Sequence, residues 1–263
     1  MKVTVRFLLF VVVAAAVVGV FAFPSNASAN HSWNGYHWAR TSNPFTVKLG
    51  DNVSGPWDGM LATASSDWSQ SNVLDTTIVA GGTKPRNCRP TSGQDEICNA
   101  NYGNTGWLGV AQIWITGGVH ITQGTVKNND YYFGNSTYQY NNTAEMQHVI
   151  CQEIGHTFGL AHQDESGISL NTCMDYYHNT SASDIKSTHP NKHDYDELVT
   201  IYTHLDSFST LSNAFQMPAN IADHDFSDRG EWGALVESHG RSQTFNRDLG
   251  NGNAVVTFVI WAP

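Results

Sequence analysis

Along this chain the apolar positions change period several times, and each change marks an element. From Phe7 to Phe23 they run almost without a break, behind a basic start at Lys2 and Arg6 and ahead of the small-x-small triplet Ala27-Ser28-Ala29. That is the pattern of a signal peptide cleaved after Ala29, so residues 1–29 are set apart from the fold. Phe45, Val47 and Leu49 then alternate, as a strand does. Trp57, Met60, Leu61, Ala64 and Trp68 fall at helical spacing and predict a helix from about Trp57 to Ser71. Thr76 to Val79 reads as a strand, and residues 81–105, rich in Gly, Pro and Asn, read as loop. Apolar, β-branched and aromatic residues over 106–116, and again over 120–126, predict two further strands.

Asn142 with Glu145 three residues on predicts a capped helix from Thr143 to about Phe158, stopped by Gly159. A second loop spans 163–189. Tyr195, Leu198, Ile201 and Tyr202 then repeat in a third helix, about Lys192 to His204. Gly233–Val236, Gln243–Arg247 and Ala254–Trp261 read as short strands, with a hairpin-turn signal at Leu249-Gly250-Asn251-Gly252. The mixture predicts an α+β protein: one domain over 30–205 and a small β-rich extension over 206–263 without chemistry of its own.

Charge narrows the partners. Without residues 1–29, which hold Lys2 and Arg6 and no acid, 11 Lys and Arg stand against 23 Asp and Glu, a net charge of −12. An acidic surface argues against nucleic acid and against anionic lipid. No stretch after the first thirty residues is long enough to span a membrane, so a secreted, extracellular protein without stable membrane association is expected. The four cysteines, Cys88, Cys98, Cys151 and Cys173, form an even set that suggests two disulfides outside the cell. Three pairings are open; Cys88–Cys98 closes the Pro/Gly/Asn-rich loop.

The chemistry is concentrated in CQEIGHTFGLAHQD, residues 151–164. On the helix, Gln152 and His156 are four apart and share a face, with Glu153 beside them. Gly159 can take the left-handed backbone that turns the chain back, so His162 can reach the same point. Two helical donors and one returning donor make a three-point cage that leaves a coordination position for water, as a catalytic zinc requires. Glu153 is then the candidate base for that water.

These residues resemble the HExxHxxGxxH signature of the metzincins, written here Gln152-Glu153-x-x-His156-x-x-Gly159-x-x-His162, with a Met-turn candidate at Thr172-Cys173-Met174-Asp175-Tyr176. The nearest likeness is to matrixin-like secreted peptidases, over roughly residues 36–205. The resemblance implies a twisted mixed sheet, an active-site helix, a Met-turn and a C-terminal helix. It makes Met174 a hydrophobic floor beneath zinc. It gives Tyr176 the part of the astacin and serralysin tyrosine that steadies the tetrahedral intermediate. It also favours Cys151–Cys173, a bond between active-site helix and Met-turn. Matrixin-like folds often hold structural calcium, for which Asp51, Asp130 and Asp164 are the candidates; singly, each reads as a solvated loop acid. Pro85-Arg86-Asn87-Cys88 is faintly similar to the matrixin cysteine switch but has a partner in Cys98 and reads as a loop disulfide.

Gln152 departs from the signature. It offers zinc an amide oxygen, a harder and weaker donor than imidazole. Changes merely behind the ligands cost about 10- to 100-fold in metal affinity, so this one costs at least that. His148, two turns from His156, is about 12 Å from it along the axis and reads as a surface or second-layer residue. His178 is a looser ligand candidate. Three readings stand. The first is a zinc endopeptidase acting on a protein or peptide substrate, with a metal-activated water and Glu153 as general base. The second is a metzincin-fold protein that lost catalysis and binds peptides or proteins. The third is a cage for another metal. Asn52, Asn135, Asn141 and Asn179 open N-x-Ser/Thr glycosylation triplets.

Overall fold

The computed structural model describes residues 31–212, 218, 221 and 226–262; the expected signal peptide lies outside them. The protein is mixed α+β, with one large mixed sheet and few helices. Its strands are β1 (His37–Trp38), β2 (Phe45–Asn52), β3 (Leu74–Ala80), β4 (Gln94–Ala100), β5 (Trp107–Thr116), β6 (His120–Asn129), β7 (Ala234–His239), β8 (Ser242–Gly250) and β9 (Asn253–Trp261). The helices are α1 (Pro56–Trp68), α2 (Asp130–Phe133), α3 (Thr143–Thr157) and α4 (Lys192–Ile201). Across the sheet the order is β3-β2-β4-β6-β5-β9-β8-β7, and β1 pairs with the start of β6. From β3 to β6 the pairs are parallel; from β6 through β5 to β7 they are antiparallel.

Helices α1 and α3 lie together on one face of the sheet. Trp57, Met60, Leu61, Ala64 and Trp68 of α1 are buried, and the Trp68 indole meets the Phe158 ring edge-on at 5.7 Å. Asn142 caps α3 as expected, its side chain accepting from the Ala144 and Glu145 backbone N–H groups. The expected pairing with Glu145 does not form. That carboxylate instead accepts from His178 Nδ1 and the Asn179 N–H, so it secures the loop after the Met-turn. At the other end of α3, the Trp38 indole donates to the Thr157 carbonyl and the Tyr202 hydroxyl to the Phe158 carbonyl. Those bonds satisfy acceptors that the helix leaves open.

Two sequence expectations are corrected. Residues 81–105 are not all loop: β4 lies within them as a central strand buried on both faces. Its acids hide it from a hydrophobic pattern, because each has a partner. Glu96 accepts from Gln94 at 2.6 Å and from Asn52 at 2.6 Å, and Asp95 accepts from the Thr157 hydroxyl at 2.7 Å. Nor do the C-terminal strands form a separate appendage. β9 pairs with β5 along most of its length, which extends the sheet with β8 and β7. The reason is the two-sided apolarity of β5. Leu108, Ala111 and Ile113 face the helices, while Trp107, Val110 and Trp114 need cover on the other side. Trp232, Phe245, Val255 and Val259 provide it.

Both expected disulfides form: Cys88–Cys98, from the loop into β4, and Cys151–Cys173, from α3 to the turn at Met174. Two disulfides fit an oxidising, non-cytosolic compartment. Among the described residues no helix is long and apolar enough to cross a membrane. Asn52 and Asn179 are buried and hydrogen-bonded through their amides, so the folded protein offers neither for glycosylation.

Candidate metal centre

The turn after α3 is built around Gly159. Its φ is +91°, and a Cβ there would stand 2.0 Å from the Tyr36 carbonyl oxygen, so only glycine fits. The chain then runs back beside residues 31–33. The Trp33 N–H donates to the Gly159 carbonyl at 2.9 Å and the Ala161 N–H to the His31 carbonyl at 2.6 Å. This return brings His162 to His156, with their Nε2 atoms 3.0 Å apart. Two zinc–imidazole bonds of about 2.0–2.1 Å at a tetrahedral angle separate their donors by about 3.3 Å, so the pair is spaced to share one ion.

The tautomer of His156 is fixed. Its Nδ1 lies 2.8 Å from the Leu160 carbonyl, which can only accept, so Nδ1 carries the proton and Nε2 keeps its lone pair. Burial lowers the His156 pKa to about 4 and holds that of His162 well below the ordinary range, which leaves both rings as neutral ligands. The Met174 sulfur packs so closely on the α3 backbone at Gly155, next to His156, that a Cβ there would stand 2.5 Å from it. The Tyr176 ring meets His162 edge-on at 4.2 Å, and burial raises its phenol pKa, so the hydroxyl stays protonated.

Gln152 is engaged elsewhere. Its amide Nε2 donates to the Cys173 and Asp175 carbonyls, each at 2.7 Å, so both hydrogens go to the backbone on either side of Met174. Only Oε1 remains as a donor to a metal. Glu153 is fully buried against β5, with Oε1 2.7 Å from where a Cβ would stand on Gly109. Its carboxylate lies toward the Ala111 backbone without a well-formed hydrogen bond, and burial raises its pKa well above the usual carboxylate range. A buried acid without a partner is costly unless a cation or a reacting group meets it. Two neutral imidazole nitrogens at this spacing, with Gln152 Oε1 one helical turn before His156, suit a divalent zinc-like ion, whereas the Glu153 carboxylate does not fall within 4.8 Å of both nitrogens.

His148 is not a surface residue: it is buried, its Nδ1 lies 3.2 Å from Asn179 Oδ1, and its ring stacks with that of His178. Neither ring is placed with His156 and His162. Asp130 accepts from the Trp57 indole and from Asn99, Asp164 from Ser166, and Asp51 from the Val53 N–H, each a local structural bond.

Two neighbours of the centre come from strands that sequence reasoning set aside. The Phe258 ring of β9 stacks on His156 at 4.4 Å and 4°, and Ser242 Oγ of β8 lies 3.4 Å from His162 Nε2. The signal for Phe258 was the largely apolar run of β9, the mark of a strand buried on both faces, and Ser242 had none. A cavity of about 360 Å³ opens beside Gln152, walled by His148, Tyr176, Arg241, Ser242 and Ile260; His156 and His162 lie outside its walls. No family model matches the chain, and no curated protein or solved structure matches it.

Proposed function

We propose that the protein is a secreted zinc-dependent endopeptidase of metzincin-like build. One observation carries the reading: two neutral histidines converge to 3.0 Å through a glycine turn, at the end of a helix that packs on buried Met174 and carries the fully buried Glu153 carboxylate. The element order supports it, running strand, helix, strands, helix, Met-turn, helix as the resemblance implies.

His156, His162 and Oε1 of Gln152 hold the ion. When bound, zinc supplies Lewis acidity and brings the pKa of its water toward neutrality. Glu153, ionised once a cation offsets its burial, takes the proton of the attacking water and delivers it to the leaving amine. The protonated Tyr176 hydroxyl donates to the substrate oxygen as charge develops there. The cavity beside Gln152 admits the substrate chain.

The test is hydrolysis of an unfolded protein by the purified chain in buffered zinc. Activity falls by about 10²-fold or more in Glu153→Ala and vanishes with chelator. Activity equal in Glu153→Ala and in the native chain refutes the mechanism. A second reading, a peptide- or protein-binding module without catalysis, is favoured by the Gln152 amide being spent on backbone carbonyls and by the Phe258 cover on His156. Peptide binding without turnover, with turnover appearing in Gln152→His, selects it.

A further inference from the structure

A second histidine cluster lies where β1, the start of β6 and the chain after α4 meet. His37 Nε2 is 3.1 Å from His204 Nε2 and 3.5 Å from Asp206 Oδ1, and His204 Nε2 is 3.8 Å from that same oxygen. His120 Nε2 lies 3.3 Å from Asp206 Oδ1 on another side. We propose that His37, His204 and Asp206 bind a structural zinc ion, with water completing its shell.

Three features carry the assignment. The first is spacing. Four zinc bonds of about 2.0–2.2 Å in a tetrahedron set their donors about 3.3–3.6 Å apart, and the three measured edges bracket that range. At 3.5 and 3.8 Å from the two histidine nitrogens, the carboxylate oxygen stands at the separation of ligands around one ion, longer than a well-formed hydrogen bond.

The second is the state of each donor. His37 Nδ1 donates to the Gly35 carbonyl at 2.7 Å, so in the neutral ring Nε2 presents a lone pair to the cluster. Asp206 divides its oxygens: Oδ2 accepts from the Arg40 N–H at 3.1 Å and from Arg40 Nη1 at 2.9 Å, and Oδ1 is turned to the histidines. Behind His37 and Asp206 stand the hydrogen-bonded partners that orient them, as in built metal sites.

The third is access with preorganisation. His37 is buried and the Asp206 side chain is only 8% exposed, whereas the His204 side chain is 52% exposed, so an ion can enter from solvent. The segments are already aligned without it. His37 pairs with His120 in the β1–β6 ladder, and the Asp206 N–H donates to the Arg40 carbonyl at 2.9 Å. An ion here locks β1 to the chain after α4. The Tyr36 carbonyl, next to His37, braces Gly159, so the site also secures the turn that carries His162. In the sequence the only trace was His204-x-Asp206, because the other ligand, His37, lies 167 residues from His204.

The test is zinc uptake by the chelator-stripped protein, titrated against a chromophoric competitor at neutral pH, with thermal unfolding read alongside. His204→Ala and the bulk-preserving His204→Gln lose one equivalent of zinc, or bind it at least about 100-fold more weakly. His189→Ala, an equally exposed histidine paired with Asp67, keeps the native number. The same number and affinity of zinc in the His204 variants as in the native chain, or no uptake by the native chain, overturns the site. His162→Ala separates the two centres. An equivalent lost in His162→Ala but kept in both His204 variants refutes this site and leaves the candidate catalytic centre standing. The reverse pattern supports this site and removes that centre.

Discussion

Replacing Gln152 by histidine restores the ligand that the metzincin signature carries and removes a structural clamp, and the two effects have opposite signs. The Gln152 amide donates two hydrogen bonds of 2.7 Å to the buried Cys173 and Asp175 carbonyls. An imidazole that turns one nitrogen to the metal has one N–H left for both. A carbonyl abandoned in the interior costs about 1–3 kcal/mol. For a protein of this size each kcal/mol moves the unfolding midpoint by about 2–4 °C, so metal-free Gln152→His melts about 2–12 °C below the native chain. Zinc affinity moves the other way, rising at least tenfold, or about 1.4 kcal/mol. Scanning calorimetry of stripped and zinc-loaded protein, with a competition titration, measures both. An unchanged metal-free midpoint refutes the clamp, and an unchanged zinc affinity refutes position 152 as part of the ligand set.

Two further outcomes follow from the same geometry. Gly159→Ala combines a left-handed backbone with a Cβ 2.0 Å from the Tyr36 oxygen, so it destabilises by about 2 kcal/mol or more and weakens zinc binding through His162; in Gly167→Ala, where φ is +82° but no atom lies within 4 Å, only the backbone cost is felt, and equal losses in the two variants refute the steric argument. Burial raises the Glu145 pKa from 4.5 to about 7, so the folded protein holds a proton there that the unfolded chain releases; its contribution is complete below pH 4.5 and is lost as pH rises toward 7, and Glu145→Gln therefore gains stability relative to the native chain over that interval, a difference that urea unfolding at several pH values reads and that a pH-independent gap refutes.

The sequence by itself determined the features whose physics is local. The Asn142 cap, the four-residue spacing that gives Gln152 and His156 one face, and the glycine that alone tolerates the turn before His162 all act within a few residues of chain. The stretch 151–164 therefore located the candidate centre, and the even cysteine count foretold two disulfides, with Cys151–Cys173 legible only through the resemblance. Tertiary structure decided whatever depends on partners distant along the chain. β4 is a central strand although its sequence is acidic, because Asn52 and Gln94 donate to both oxygens of Glu96 and Thr157 donates to Oδ2 of Asp95. The last three strands join the main sheet because β5 is apolar on both faces, and they bring Phe258 and Ser242 against the histidines. Gln152 sits at a candidate ligand position by spacing, yet its amide serves the Cys173 and Asp175 carbonyls, because its two N–H groups satisfy both buried acceptors where an imidazole turned to a metal has one. The His37, His204 and Asp206 cluster exists only in three dimensions. Periodicity reports which side of a segment is buried, but only the folded chain reports what is buried against it.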